Sequence, residues 1–315
     1  MTRAEGRHVP VLLTEALQYL AIRPGATVVD CTVGLGGHSE AIVRTLGAKG
    51  KLIGFDRDPD ALLLARERLD RVCRELGSEA PAVELIDEAF STVAGHVAAG
   101  SVDGVLADFG VSSLQLDEAA RGFSFSAEGP LDMRMDPRKG LSASQVVNQA
   151  SERELADLIY QFSDERRSRK IARAIVKGRP VNTTTQLARI VATAAPAMKG
   201  DRIHPATKTF QGLRIHLNRE LDEIKDLLEA APKLLKPSAR FVAISFHSLE
   251  DRLVKDSFRD GARAGIWTML TKKPVTAGED EMERNPRSRS AKLRAAEKNR
   301  DQGSGIRDQG SGIRD

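Results

Sequence analysis

Residues 30–38 read DCTVGLGGH, and further along the chain residues 54–59 read GFDRDP. Short apolar runs lead into both stretches. A strand, a glycine-rich turn, a helix and a second strand that ends on an acid form a βαβ unit that binds nucleosides. The glycines let backbone amides approach a ligand closely. Asp56, at the end of the second strand, is placed to accept hydrogen bonds from ribose hydroxyls.

The first turn departs from a complete dinucleotide-binding motif. Ser39 stands where the third glycine of G-x-G-x-x-G belongs. Asp30, which opens the turn, suits a ligand that carries an ammonium group better than one that carries a pyrophosphate. The turn therefore favours S-adenosylmethionine over NAD, and an NAD-linked oxidoreductase remains the alternative at this point.

The composition is that of a globular protein with a sizeable core. The chain has 315 residues, of which 41% are hydrophobic and 29% are charged. It shows no apolar run long enough to cross a bilayer, and its first ten residues lack the apolar core of a signal peptide. We therefore expect a cytoplasmic protein without a membrane partner.

The metal-ligating residue types show no metal-binding spacing. Cys31 and Cys73 are the two cysteines, and the six histidines form neither H-x-x-x-H nor H-E-x-x-H. We expect idle thiols and no bound metal.

Basic residues are unevenly distributed, although the net charge is only +4. Residues 166–179 and 284–300 are both rich in arginine and lysine. Each cluster is either a solvated face or a surface that neutralises phosphates. Two clusters in an otherwise balanced chain favour a polyanionic substrate.

The first part of the chain alternates strands with helices, which predicts a parallel, doubly wound sheet. Predicted strands lie at 27–31, 51–56, 82–86, 102–107, 240–246, 266–270 and 291–295. Predicted helices lie at 11–20, at 39–46 and from Pro59 onwards.

The alternation stops after the fourth strand, where helix starts replace strands. Ser151 with Glu154 and Thr183 with Gln186 have the spacing of capping boxes. A long amphipathic helix with Leu213, Leu217, Leu221, Ile224 and Leu228 on one face then resumes the α/β pattern. We therefore predict a core in two parts, 1–116 and 213–299, around a helical insertion at 117–212. The repeated segment at 300–315 is predicted to be a flexible tail.

A third acid follows the fourth strand, in the sequence Asp108-Phe109-Gly110. Ligands of open α/β sheets bind at the carboxyl ends of the strands, so Asp30, Asp56 and Asp108 are expected to converge on one crevice. If the cofactor is S-adenosylmethionine, Asp108 is suited to accept a proton from an exocyclic amine, whose lone pair is delocalised into its ring. Phe109 is a candidate for stacking on the base.

The chain as a whole resembles the bacterial small-subunit ribosomal RNA cytosine-N4 methyltransferases, the RsmH or MraW family. The likeness covers roughly residues 8–297. It rests on an ordered set of stretches: HVPVLLTEAL at 8, DCTVGLGGHS at 30, FDRDPDAL at 55, ADFGVSSLQLD at 107, RGFSFSAEGPLDMRMD at 121, SRKIARAIV at 168, HPATKTFQGLRIHLNREL at 204, ISFHSLEDRLVK at 244, LTKKP at 270 and NPRSRSAKLRAAE at 285.

The resemblance implies a Rossmann-like class I methyltransferase core with a helical insertion domain, and S-adenosylmethionine as cofactor. The implied reaction is methylation of the N4 amine of a cytidine in the decoding region of 16S ribosomal RNA, within the small ribosomal subunit. The resemblance leaves a homodimer open. The implied cofactor contacts are Gly36, Gly37, His38, Asp56, Phe90, Asp108 and Gln115. Asp108 is also the candidate catalytic residue.

Three points stay open on the sequence. A non-catalytic RNA-binding or assembly factor that retains the fold is a third functional class. His247 either faces the acceptor base or, as we favour, is hydrogen-bonded within its loop. The segment at 204–207 and Arg214 either line an RNA groove or join the insertion to the core.

Overall fold

The computed structural model describes residues 10–198, 200 and 203–300. The predicted flexible tail lies outside the described residues from 301 onwards. The strands are β1 (Thr27–Asp30), β2 (Lys51–Asp56), β3 (Ala82–Asp87), β4 (Val102–Asp108), β5 (Leu235–Ser245), β6 (Trp267–Met269) and β7 (Lys292–Lys298). The helices are α1 (Leu13–Leu20), α2 (Gly37–Leu46), α3 (Pro59–Leu76), α4 (Val93–His96), α5 (Ser113–Asp117), α6 (Ala143–Gln149), α7 (Glu152–Ser163), α8 (Ser168–Lys177), α9 (Thr184–Ala194), α10 (Ala206–Leu217), α11 (Glu220–Leu234), α12 (Ser248–Arg263) and α13 (Glu279–Arg284).

The strands form one seven-stranded sheet in the order β3-β2-β1-β4-β5-β7-β6. The pairs among β1 to β5 are parallel, and β7 runs antiparallel to β5 and β6. Every predicted strand is present, and the predicted α/β, Rossmann-like class of the fold is confirmed. Because the first strands are parallel, their carboxyl ends meet at one edge of the sheet.

Strand β5 begins at Leu235, earlier than predicted, and runs through Lys236-Pro237-Ser238. Such a tripeptide is typical of a break between a helix and a strand, but here it lies inside the strand. The register between β4 and β5 shifts between Val102 and Gly104, and Ser238 adopts a φ of 64°. A bulge of this kind tolerates a proline that a regular ladder excludes.

Apolar residues on both faces of the sheet form the core of the α/β part of the molecule. On one face, Phe55, Phe241 and Phe258 are buried with residues of α11 and α12. On the other face, Leu52 and Leu106 are buried with residues of α1, α2 and α3. Strands that are covered on both faces are apolar along most of their length, as the sequence predicts.

The insertion has a hydrophobic core of its own. Its buried members include Leu155, Ile159, Ile171, Leu187 and Leu213. Helix α7 packs against α8 and α10. Among the described residues between α5 and α11, helices and turns occur but no strand, as the sequence predicts.

The amphipathic helix predicted across Leu213–Leu228 is in fact two helices, so this prediction is wrong. Helix α10 ends at Leu217, Arg219 adopts a φ of 51°, and α11 begins at Glu220. Leu213 belongs to the core of the insertion, whereas Ile224 belongs to the core under the sheet. The packing therefore favours a boundary at Asn218–Arg219 over the predicted one after residue 212, which falls inside α10.

Both predicted capping boxes mark a helix start. Ser151 and Glu154 form the complete reciprocal pair at α7. At α9, Thr183 accepts a hydrogen bond from the Gln186 amide, while the Gln186 side chain accepts from the Asn182 amide instead.

Among the described residues, no helix combines the length and the apolar character that crossing a membrane requires.

Candidate functional site

A cavity of about 320 Å³ lies at the carboxyl ends of β1, β2 and β4. It is lined by the turn after β1, by the 3₁₀ turn at Phe90–Thr92 and by the segment after β4. Side chains of α10 and of the segment 287–290 also line it. Its position at the crossover of an open α/β sheet is the one predicted for a nucleoside-binding crevice.

The glycine turn shapes one wall of the cavity, and each of its three glycines has a different local contact. The Gly34 amide donates a 2.7 Å hydrogen bond to Asp56 Oδ2. Gly36 has a φ of 77°, and a Cβ there lies 3.4 Å from Ala65. A Cβ on Gly37 lies only 2.4 Å from Pro10 Cγ. Gly37 lines the cavity, whereas Gly36 does not and instead sets the turn into α2.

Asp56 ends β2 with its carboxylate at the cavity, as predicted. Its Oδ1 accepts a 2.9 Å hydrogen bond from the Asp58 amide, in addition to the Gly34 bond on Oδ2. Burial raises the pKa of Asp56 to about 6, although the two backbone hydrogen bonds oppose the rise. Each oxygen keeps a second lone pair for a ligand hydroxyl.

Asp30 does not reach the cavity, so the expectation that three acids converge there is wrong. Its carboxylate is fully buried beneath the turn. It accepts hydrogen bonds from Ser39 Oγ at 2.6 Å and from the Thr32 amide at 3.1 Å. Asp30 therefore fixes the turn and does not contact a ligand in the cavity.

Asp108 lies at the end of β4 and lines the cavity, as predicted. Its amide donates a 2.6 Å hydrogen bond to Thr32 Oγ1. Its Oδ1 is buried without a hydrogen-bond partner among the described residues. Burial, and then the nearby carboxylates of Asp30 and Glu250, hold the pKa of Asp108 well above its usual range.

His38 connects the glycine turn to Asp108. Its Nδ1 lies 3.6 Å from Asp108 Oδ2. Its Nε2 lies 3.0 Å from the Val11 carbonyl oxygen, so Nε2 carries a hydrogen in that contact. The ring is buried and lines the cavity, in the position that the resemblance implies.

Phe90 and Gln115 also line the cavity, although only the resemblance had pointed to them. The Phe90 ring lies 5.9 Å from the Phe109 ring. The Gln115 side chain is already engaged: Oε1 accepts from the Ser112 amide and Nε2 donates to Asp58 Oδ2. Phe109 belongs to the hydrophobic core, which leaves the partly exposed Phe246 as the better placed ring for stacking.

Two arginines at the cavity come from segments that the sequence left ambiguous. Arg214 of α10 lines the cavity and forms a bidentate ion pair with Glu220, at 2.8 and 2.9 Å. Arg287 also lines it and lies 2.6 Å from Asp117 across the start of the insertion. The sequence did not indicate their partners, because Arg287 contacts Asp117 far away in sequence and the Arg214–Glu220 pair spans the break between two helices.

The basic segment at 284–300 is only partly a surface. Arg294 is buried in an ion pair with Asp251, and Lys292 lies 3.5 Å from the same carboxylate. Arg284 and Arg289 are exposed. The basic residues of β7 are therefore engaged within the protein, and phosphate binding by the exposed residues of this segment remains a prediction.

His247 lies within its loop, as favoured from the sequence. It caps α12, where its Nδ1 accepts a 3.4 Å hydrogen bond from the Glu250 amide and its Nε2 lies 3.0 Å from Glu250 Oε1. Ligand atoms of Glu220, His247 and Glu250 all lie within 4.8 Å of one another. Glu220 is already paired with Arg214, whereas His247 Nε2 and Glu250 Oε1 are buried without a hydrogen-bond partner among the described residues. The expected absence of a metal stays a prediction.

The whole described part of the chain matches known proteins. The model of the MraW methylase family matches residues 5–299. Over 292 residues the chain is 64% identical to the ribosomal RNA small subunit methyltransferase H of Acidobacterium capsulatum. This match covers 93% of this chain and 98% of the relative. The proteins of the same name from Koribacter versatilis and Sorangium cellulosum are 59% and 48% identical, over 92% of this chain and 93% and 90% of theirs.

These matches decide between the two cofactors in favour of S-adenosylmethionine. The chain belongs to the MraW methylase family and is an S-adenosylmethionine-dependent methyltransferase.

Proposed function

We propose that the protein transfers a methyl group from S-adenosylmethionine to the N4 exocyclic amine of a cytidine in the decoding region of 16S ribosomal RNA. The observation that carries the acceptor chemistry is the buried, unpartnered Oδ1 of Asp108, a residue that lines the same cavity as Asp56. The names of the relatives support ribosomal RNA of the small subunit as substrate. The cytoplasm, where such RNA lies, is the expected location.

The residues of the cavity fit the cofactor. Asp56 offers acceptor lone pairs for ribose hydroxyls, and Phe90 offers an apolar surface for adenine. The unpartnered Oδ1 of Asp108 requires a donor, which an ammonium or amine group supplies. When bound, the cofactor supplies an activated methyl group on a sulfonium.

Asp108 is suited to assist the acceptor amine. The N4 lone pair of cytosine is delocalised into the ring, so the amine is a poor nucleophile until an acceptor draws on its protons. A carboxylate that accepts an N4–H hydrogen bond increases the electron density on the nitrogen and then takes up the proton that methylation releases. The raised pKa of Asp108 makes it a better proton acceptor than an exposed aspartate.

The target base reaches this cavity only if it leaves its stack, as in other enzymes that modify bases. Phe246 is placed to stack on it, and Arg287 lies at the same cavity for a neighbouring phosphate. Exposed basic residues of α8, among them Arg169 and Lys170, are proposed to bind flanking phosphates.

The test is methyl transfer from labelled S-adenosylmethionine to small ribosomal subunits that lack the modification, followed by digestion of the RNA to nucleosides. Label in N4-methylcytidine is the expected result for the wild type. Asp108→Asn is expected to lower kcat by about 10²- to 10⁴-fold, the usual contribution of a positioned acid or base.

Because Asp108 is also an implied cofactor contact, turnover of Asp108→Asn is measured at saturating S-adenosylmethionine, and circular dichroism serves as the control for an intact fold. Label in another nucleoside would contradict the proposed acceptor. Undiminished turnover of Asp108→Asn would remove Asp108 from proton transfer.

A further inference from the structure

Three consecutive residues at the end of β2 connect the cofactor side of the cavity to the insertion. Asp56 Oδ1 accepts the Asp58 amide at 2.9 Å, so the carboxylate proposed to bind the cofactor also holds the backbone of Asp58. Arg57 lies between them, and its side chain is largely buried. We call residues 56–58 the linking loop.

Asp58 holds the place where the chain leaves the core for the insertion. Its carboxylate is fully buried. Its Oδ2 accepts from Gln115 Nε2 at 2.8 Å and lies 2.8 Å from Arg121 Nη2, while its Oδ1 accepts from Arg121 Nη1 at 3.2 Å. Residues 115–121, the first crossing, are thus fastened to the linking loop.

Arg57 holds the place where the chain returns. Its Nη1 donates a 2.7 Å hydrogen bond to the Asn218 carbonyl oxygen, and its Nη2 lies 3.3 Å from Glu223 Oε1. Glu223 Oε2 also accepts from the Ser91 amide at 3.3 Å, beside Phe90. Residues 218–223, the second crossing, are thus fastened to the linking loop and to the opposite wall of the cavity.

The two crossings are also bonded to one segment of the insertion. Asn218 accepts from the Met135 amide and donates to the Met133 carbonyl, both at 2.8 Å. Arg121 Nη2 donates to the Met135 carbonyl at 2.9 Å. The linking loop, both crossings and residues 133–135 therefore form one closed polar ring.

This ring restricts orientation more tightly than an apolar contact does. Hydrogen bonds and ion pairs weaken steeply when their geometry changes, and a buried charge that loses its partner is costly. A ligand that binds Asp56 acts on the carboxylate that holds the Asp58 amide. A change in the linking loop thereby reaches both crossings directly.

We infer that Arg57 and Asp58 are positioning residues that link cofactor binding to substrate binding by setting the insertion over the cavity. Bound cofactor then raises the affinity for RNA, and RNA raises the affinity for cofactor by the same factor. The identity of the RNA in this inference rests on the proposed function.

The experiment measures the affinity for unmodified small subunits with and without S-adenosylhomocysteine, which occupies the site without turnover. The wild type is expected to bind the subunits at least about fivefold more tightly with S-adenosylhomocysteine, the lower end of typical coupling. Arg57→Ala is expected to bring this ratio close to one, and Arg57→Lys to restore part of it. Arg44→Ala, which removes an arginine paired with Glu40 and Glu75 on the core surface, is the matched control.

Hydrogen exchange provides a readout that needs no RNA. S-adenosylhomocysteine is expected to slow exchange at the linking loop and at both crossings in the wild type. In Arg57→Ala the slowing is expected to persist at the linking loop and to disappear at the second crossing. If Arg57→Ala does not fold, Glu223→Gln removes the same ion pair from the other side.

A wild-type ratio of one, an equal ratio in Arg57→Ala, or unchanged exchange at the crossings on cofactor binding would each overturn the inference. Failure of the wild type to bind or methylate the subunits, with the exchange result as expected, would count against the proposed function alone.

Discussion

Asp30, Asp56 and Asp108 each end a strand of the parallel sheet, yet only the last two reach the cavity. The difference lies in the neighbours of Asp30. Ser39 and Thr32 supply the hydrogen bonds that turn its carboxylate under the glycine turn. The position of an acid at a strand end was predictable, but the direction of its side chain depends on which donors the tertiary structure brings close.

The buried carboxyl group of Asp30 makes stability depend on pH. Burial raises its pKa to about 6 from 3.8 in the unfolded chain, so the folded state favours the protonated form. Its contribution to stability is fully present below pH 3.8 and is lost as the pH rises through 6. A shift of this size corresponds to roughly 3 kcal/mol.

We therefore expect Asp30→Asn to gain stability relative to the wild type between about pH 4 and pH 7, by up to roughly 3 kcal/mol. Urea denaturation of both proteins across this range measures the difference. The Asp30 charge also raises the pKa values of Asp56 and Asp108, so its removal lowers both and adds to the same trend with pH. A difference in unfolding free energy between the two proteins that does not change with pH would contradict the raised pKa of Asp30.

Asp56 carries the second prediction at this scale. Asp56→Asn removes the charge that ribose hydroxyls are proposed to contact, and a hydrogen bond to a charged group is worth about 1.5–3 kcal/mol. The affinity for S-adenosylhomocysteine, measured by calorimetry, is expected to fall roughly 10- to 150-fold. Glu84→Gln, an exposed change on the neighbouring strand β3, is the control. Equal affinity would remove Asp56 from the cofactor site.

At the scale of elements, strands and helix starts were largely predictable, because the spacing of apolar residues and the presence of capping residues are local signals. The break between α10 and α11 was not, since the apolar residues continue through it. What ends α10 is Asn218, whose side chain bonds to Met133 and Met135 in a distant part of the sequence. The start of β5 was missed for a similar reason: whether Pro237 is tolerated depends on the partner strand.

Helix α2 offers a test of the glycine turn as an element. A Cβ on Gly37 lies 2.4 Å from Pro10 Cγ, so Gly37→Ala requires the segment before α1 to shift. We expect a loss of about 1–3 kcal/mol in the free energy of unfolding, as for other overpacked sites. Gly95→Ala in α4, where a Cβ meets nothing within 4 Å, is expected to be neutral or stabilising. Equal effects of the two changes on chemical denaturation would contradict this interpretation of the turn.

For the whole molecule, the sequence predicted an α/β core in two parts around a helical insertion. The buried apolar residues at the sheet and those of the insertion form separate clusters, and the division into domains stays a prediction. The sequence could not show how the two parts are held together, because the stretches that contain Arg57, Asp58, Arg121 and Asn218 do not reveal which side chains pair. The cavity has walls from both parts, with Arg214 from the insertion facing residues of the core.

RNA binding by the insertion is testable through salt dependence. The double change Arg169→Ala and Lys170→Ala removes two exposed charges of α8. It is expected to weaken binding to the small subunit. The plot of log K against log salt concentration has a negative slope. The magnitude of this slope is expected to decrease by about one for each phosphate that the variant no longer neutralises. Calorimetry is expected to show an unchanged cofactor affinity.

The control replaces Arg71 and Arg74 by alanine, since these are exposed arginines on α3 of the core. The same decrease in slope in both double variants would show that the effect is one of net charge and not of a surface on α8.

The sheet order has a consequence for synthesis of the chain. Strand β4 is the neighbour of β5 in the sheet, but residues 109–234 must be made between them. At the usual rate of translation this takes on the order of ten seconds. Throughout that interval the edge of β4, with Val105, Leu106 and Ala107 at its centre, is unpaired because β5 has not yet been synthesised. The insertion therefore has time to fold before β5 pairs with β4.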